Sequence, residues 1–445
     1  MITFNNVLNK AKDSILSWSN KECLRSVTIV RDVIGKISFL LDNEVSTEDG
    51  EKQALVVRVQ QDLGVYFSGK IYWKKLSHTQ KNYAKRIEPI INMIENNHKE
   101  WKTVENIVFY IAERPIAKKA WIQTQGLQES VWSYEEAIQE NGTKIITFYS
   151  FKGGMGRTTA LSGVALALVK QGYNIMMIDT DIETPGLATL FFDEDAIEVG
   201  VLDYLLEHSL SPEKSVTEYI KDITDPALLD ETDGNLYLMP AGKVDENYLQ
   251  KLARIDYQDN REGFLKEALS EMIQNIRNEY NIDYMLIDAR AGFHDMGGIV
   301  VSQIPHGAVL FGNNSRQSWD GITQVLRTIA EGHTTDWPVM IVDSMCERPT
   351  SENYAINKFK FTQKAYTVCI ENFYDNNSPV PGLDADEAIH SPEFVPFDSE
   401  LLKGVELFSD GSLEQDDRVK AYKTLLSGNC YEQMANRIKR WFGED

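Results

Sequence analysis

The feature that most constrains this chain is Lys144-Ile-Ile-Thr-Phe-Tyr-Ser-Phe-Lys-Gly-Gly-Met-Gly-Arg-Thr-Thr-Ala160, where an apolar run passes through a glycine-rich turn into a second apolar stretch. Ile145 to Tyr149 is β-branched, aromatic and aliphatic, as a strand buried on both faces requires. Thr159 to Lys170 carries the small and aliphatic residues of a packed helix. Between them Gly153, Gly154 and Gly156 let the backbone turn tightly enough to aim successive N–H groups at one anion. The helix adds the partial positive charge of its N-terminus, so Gly153 to Thr159, with Met155 inside it, reads as a phosphate cradle. The Thr158 hydroxyl stands where such a cradle holds Mg2+. A Gly-Gly-x-Gly turn alone merely connects a strand to a helix; the strand, helix and hydroxyl in order give it chemistry.

From Lys144 onward, strand and helix signals alternate. Asn174–Asp179, Leu236–Pro240, Asp283–Asp288, Gly307–Gly312, Val339–Asp343 and Glu393–Val395 read as strands, with helical stretches such as Gly263–Arg277 and Gly321–Glu331 between them. That order predicts an α/β fold with a doubly wound, mostly parallel sheet covered on both faces. Such sheets bind ligands at the carboxyl ends of their strands, where this chain carries acids.

The motif Lys152-Gly-Gly-Met-Gly-Arg-Thr158 breaks the ordinary P-loop pattern G-x-x-x-x-G-K-[ST] twice, with Phe151 for the first glycine and Arg157 for the lysine. It resembles the deviant Walker A motif of the ParA/MinD-type ATPases, within the SIMIBI class of P-loop NTPases, and in particular a KGGVGR-motif variant subgroup. The resemblance implies a site for ATP and Mg2+, and a Lys152 that reaches across a nucleotide sandwich homodimer to the partner's phosphates. Ile178-Asp-Thr-Asp-Ile-Glu-Thr-Pro-Gly186 resembles the family's switch I. There Asp181 would position the attacking water and Asp179 would sit close to the magnesium shell; the alternative is that both acids cap the following helix. Leu286-Ile-Asp-Ala-Arg-Ala-Gly292 resembles the Walker B strand and switch II, with Asp288 holding Mg2+ and the Gly292 N–H meeting the γ-phosphate. Arg290 departs from the family pattern, and either reaches a phosphate or pairs with an acid. Val395-Pro-Phe-Asp398, with Pro396, resembles a turn whose backbone touches the base and favours adenine. Asp343 is either a base ligand or a cap.

Residues 1–142 read as a small α+β domain, and residues 143–445 as the ATPase domain. Phe4 to Trp18 and Lys81 to Met93 have helical spacing, while Ala54 to Val59, Ile71 to Trp73 and Val104 to Ala112 read as strands. Trp121, Trp132 and Tyr134 are expected to anchor the two domains, Gln139 to Thr143 to form the boundary turn, and Asn376 to Pro392 to be a mobile surface loop. His78 and His98 are single, without partners at metal-ligand spacing. Cys23, Cys346, Cys369 and Cys430 lie too far apart for a zinc site or a disulfide framework. No run is apolar enough to span a membrane and no signal peptide stands out, so a cytoplasmic protein is expected.

The net charge of −22 is uneven. Residues 1–142 hold 19 Lys and Arg against 18 Asp and Glu, leaving 26 against 49 in the rest. So negative a domain repels phosphate backbones, which disfavours direct nucleic-acid binding; Lys74-Lys75, Lys81, Lys85-Arg86 and Lys118-Lys119 are a candidate basic patch or a solvated face.

These readings predict a slowly hydrolysing ATPase that dimerises through its nucleotide face as a switch. It would control a partner protein contacted by residues 1–142 or by the acidic surface, and by resemblance it would serve a bacterial signalling or antiviral defence system. Arg157 is the reason to expect slow turnover, since a planar guanidinium places charge differently from an ammonium. The alternatives are a nucleotide-bound scaffold without hydrolysis and a GTP-dependent targeting enzyme.

Overall fold

The computed structural model describes residues 2–444 except 45–46, 76–80, 97, 115–116, 123–131, 140–141, 209, 212–213, 230–233, 260–263, 334–335, 375–378, 403 and 410–411; the side chains of 81–84, 194 and 256–259 are also left out. His78, Gly263, parts of the turn at Gln139 to Thr143 and the start of the loop at Asn376 lie outside the described residues. The chain divides into two compact units, Met1–Ala117 and Lys118–Asp445. The division falls upstream of residue 142, because Trp121 is buried in the apolar core of the second unit with Trp132 packed against it. Trp121 therefore belongs to that core.

In the first unit five strands, β1 (Leu24–Arg31), β2 (Ile37–Asn43), β3 (Phe67–Trp73), β4 (Lys99–Val104) and β5 (Ile107–Glu113), form a mixed sheet in the order β3-β2-β1-β5-β4. Helices Val7–Leu16 and Asp49–Leu63 pack their apolar stripes on it, and a helix spans Lys81–Glu95. Two expectations are corrected. Ala54 to Val59 is helical: the buried residues Leu55, Val59 and Leu63 recur every four positions, acids occupy the first turn, and Gly64 stops the helix. Val104 to Ala112 is strand only from Ile107 on, within β5, since Glu105 and Asn106 both take positive φ (50° and 66°) and reverse the chain between β4 and β5.

The second unit is a doubly wound α/β domain. Its strands are β6 (Lys144–Ser150), β7 (Ile175–Asp179), β8 (Lys221–Ile223), β9 (Leu236–Met239), β10 (Tyr284–Asp288), β11 (Gly307–Gly312), β12 (Val339–Cys346) and β13 (Glu393–Pro396). They run in the order β13-β12-β11-β6-β10-β7-β9-β8, parallel throughout except for the short antiparallel edge β8. Alternation along β6 feeds two cores. Ile145 and Tyr149 face the helices Phe264–Glu279, Asp295–Ser302, Arg316–Gly332 and Tyr354–Asn372, while Ile146 and Phe148 face Arg157–Lys170, Leu413–Leu426 and Asn429–Trp441. No helix among the described residues is long and apolar enough to cross a membrane.

The register sets the site. In β10, Asp288 pairs with Asp179 of β7 on one side and with Phe148 of β6 on the other, so two carboxylates end adjacent strands beside the glycine-rich turn.

Candidate functional site

After Ser150 the chain leaves β6, turns through Gly154 (φ +71°) and Gly156 (φ +65°), and enters the helix Arg157–Lys170. Both glycines hold a left-handed conformation that a side chain would strain. Gly156 sits at the N-cap and offers no capping side chain, so the first-turn N–H groups are left for an anion. The loop is fixed from the far side by the Ser344 hydroxyl, which donates to the Met155 carbonyl.

The turn opens on a cavity of about 390 Å3. It is lined by Ser150, Gly153 to Thr159, Asp181, Thr184 and Ala291, and by Ser344, Met345, Val395, Pro396, Phe397, Leu401, Leu402 and Tyr431 with the Asp398 carboxylate among them. A polar, N–H-rich end joined to an apolar, aromatic end suits a ligand with phosphates at one side and a flat ring at the other. Of the residues singled out from the sequence, Gly153 to Thr159, Asp181 and Pro396 line this space, and Asp288 and Asp179 stand behind it. Asp343 is buried but does not line it; its neighbour Ser344 does, because successive strand residues face opposite ways, and so does Met345, whose positive φ (56°) breaks that alternation. Burial pushes the Asp343 carboxyl up to about 7. Lys152 is exposed and has no ion-pair partner among the described residues.

Charge is concentrated at the phosphate end. The Arg157 guanidinium is nearly buried and bridges two acids, Nε donating to Asp288 and Nη2 to Asp181 at 3.2 Å. Thr158 Oγ1 donates to the other oxygen of Asp288 at 2.6 Å. Asp181 Oδ1 also accepts from the Thr184 backbone at 3.2 Å and its hydroxyl at 2.8 Å. Asp179 accepts from the N–H groups of Asp181, Gly186 and Leu187 at 3.0, 3.2 and 3.1 Å, and so shapes the loop that presents Asp181. Arg290 pairs with Glu183, tying the loop after β10 to the loop after β7; the acid-pairing alternative is the one the structure adopts.

Burial raises the carboxyl of Asp288, opposed chiefly by Arg157. It raises that of Asp179 too, with repulsion from Asp288 adding to it. Asp181 and Asp288 thus share one guanidinium while Asp179 beside them is held by backbone N–H groups, a deficit of positive charge that a divalent cation would fill. Among the described residues no three His, Cys, Asp or Glu side chains form a metal cage by themselves. That fits Mg2+ at a phosphate site, where one or two protein oxygens suffice and phosphate and water supply the rest. Thr158 and Asp288 are the pair whose oxygens fit that role.

Of the apolar end of the cavity, sequence reasoning reached only the Val395–Asp398 turn and missed Leu401, Leu402 and Tyr431. Phe397 follows the last strand, Leu401 and Leu402 come from a short turn and Tyr431 from the last helix, some 240 residues or more beyond the glycine turn. The Val395–Asp398 turn was the one local signal for that wall. Tyr431 reaches it because Gly163 leaves room: a Cβ there would lie 2.7 Å from the tyrosine ring.

Residues 143–336 match a family model described as an AAA domain. The putative septum site-determining protein MinD of Guillardia theta is 29% identical over 164 residues, covering 35% of this chain and 49% of that protein. The MinD of Thermotoga maritima is 26% identical over 148 residues, covering 33% and 44%. The matched segment is thus similar to P-loop ATPases of the ParA/MinD type. The chain spans about half the length of the curated relatives it matches. A solved structure titled as pnob8 ParA superposes with a TM-score of 0.47 at 16% identity, covering 67% of this chain and 98% of that one.

Proposed function

We propose that this protein binds ATP with Mg2+ in the cavity below β6, hydrolyses it slowly, and uses the bound state as a dimerisation switch acting on a partner protein. The observation that carries the reading is the cluster of Arg157, Thr158, Asp181 and Asp288 at the phosphate end of a cavity whose other end is apolar. The N–H groups of Gly153 to Thr159 hold the phosphates. Thr158 and Asp288 hold the ion, which supplies charge neutralisation on the phosphate oxygens. Asp181, whose carboxylate Thr184 fixes in orientation, directs the attacking water. Exposed Lys152 serves a second copy's nucleotide, and the Gly292 N–H meets the γ-phosphate. The apolar wall around Pro396 and Tyr431 takes the base. Its partner is contacted by residues 1–142 or by the acidic surface of the rest, in a bacterial signalling or defence setting.

A second reading is a nucleotide-bound scaffold without turnover, favoured by Arg157 being committed to Asp181 and Asp288. The GTP-dependent reading rested on Asp343, which stands outside the cavity wall.

Phosphate release separates the first two readings. The wild type should release phosphate from ATP slowly, and Asp181→Ala should bind ATP with little change while losing at least about a hundredfold in rate. Equal rates in the two proteins would remove Asp181 from the mechanism, and no release from either would leave the scaffold.

A further inference from the structure

The second unit begins with a short helical segment, Lys119–Ile122, that docks on the loop and helix following β10. The Trp121 indole N–H donates to the His294 carbonyl at 2.6 Å, the same oxygen that takes the Gly298 N–H at 3.0 Å. Its ring stands edge-on to Phe293 at 5.1 Å and lies 5.7 Å from Tyr149. Lys118 pairs with Asp295 at 3.2 Å. The approach is close enough that a Cβ on Gly298 would lie 2.7 Å from that of Ala120. Trp121 is 6% exposed, although it belongs to no strand of the sheet.

The docking acts on the residue proposed above to sense the γ-phosphate. In this arrangement the Gly292 N–H donates to the Ser150 carbonyl at 3.4 Å, and the Tyr149 hydroxyl donates to the Gly292 carbonyl at 3.1 Å. Phe293 is wedged between Trp121 and Phe151. For the Gly292 N–H to reach a phosphate it must leave Ser150, and residues 292–298 must shift under Trp121.

We propose that Lys118–Ile122 is a strap whose docking holds residues 292–298 with the Gly292 N–H turned to the protein, so that γ-phosphate binding and strap docking oppose each other. Trp121 is a positioning residue, acting through Phe293 and His294. By linkage, whatever releases the strap strengthens triphosphate binding, and triphosphate binding loosens the strap. The strap is joined directly to Ala117, the last residue of the first unit, so its release changes the tether of that unit. The inference rests on the nucleotide reading of the site.

The test pairs affinity with hydrogen exchange. ADP and a non-hydrolysable ATP analogue, each with Mg2+, are titrated into the wild type, Trp121→Ala, Trp121→Phe and Lys118→Glu, and exchange is followed at 118–122. In the wild type the analogue should raise exchange at 118–122 and ADP should not. Trp121→Ala should tighten analogue binding on the order of five- to a hundredfold, with ADP affinity within about twofold. Trp121→Phe, which keeps a ring and loses the N–H, should fall between. Lys118→Glu, which sets a like charge against Asp295, should act in the same direction, and it tests the strap even if Trp121→Ala fails to fold. Equal analogue affinity across the variants, or unchanged protection of 118–122 with analogue bound, would overturn the strap alone. Failure to bind either nucleotide would overturn the nucleotide reading and the strap with it.

Discussion

Arg157 decides how this site behaves. Its fork satisfies Asp288 and Asp181 at once, which a single ammonium does less well, and it does so at the carboxylates that a metal ion also needs. On the proposed function, nucleotide entry would exchange partners: the guanidinium would turn toward phosphate as the ion takes over Asp288. Arg157→Ala should lower stability by about 3 kcal/mol, because it strands two nearly buried carboxylates without a cation. Mg2+ should then raise the melting temperature of that variant more than that of the wild type. Melting curves with and without Mg2+ check this, and equal Mg2+ shifts would remove Asp288 from the ion site. The acids at the strand ends were legible in the sequence because an apolar run that stops at a carboxylate marks the ligand end of a parallel strand. Which acid faces the ligand was less legible. Asp343 also ends such a run, but the pleat turns it away from the cavity and gives the wall to Ser344.

At the level of elements, the cavity depends on how closely the glycine-rich helix packs against the last helix. Gly163 lets Tyr431 of Asn429–Trp441 lie against Arg157–Lys170, and Tyr431 in turn walls the apolar end of the cavity. Gly163→Ala should cost about 1–3 kcal/mol through overpacking, and should weaken nucleotide binding by displacing the ring. A denaturation curve and a nucleotide titration measure the two effects. Unchanged affinity in a destabilised variant would separate Tyr431 from the ligand. Seven of the eight strands of this sheet were legible as apolar runs, all but the short edge β8. The first unit was harder to read. Its Val56-Val57 pair looks like a strand locally, but the burial of Leu55, Val59 and Leu63 follows a helical period, and the Glu105-Asn106 turn lacks the glycine that usually marks a tight hairpin.

For the whole molecule, the charge is partitioned: the first part is near neutral, with 19 basic against 18 acidic residues, and the second, with 26 against 49, carries all of the net negative charge. Two such acidic domains would repel when brought face to face, so the proposed closure over nucleotide would need cations at the site, and exposed Lys152 is placed to supply one across the interface. Dimerisation should therefore depend on ATP and Mg2+ together and weaken with ADP. The most direct measurement is the mass of the protein in solution with no nucleotide, with ADP·Mg2+ and with ATP·Mg2+, with phosphate release followed in the same samples. The switch predicts a dimer with ATP·Mg2+ alone, persisting in Asp181→Ala and dissolving in the wild type as phosphate appears. A mass that stays the same under all three conditions would contradict it.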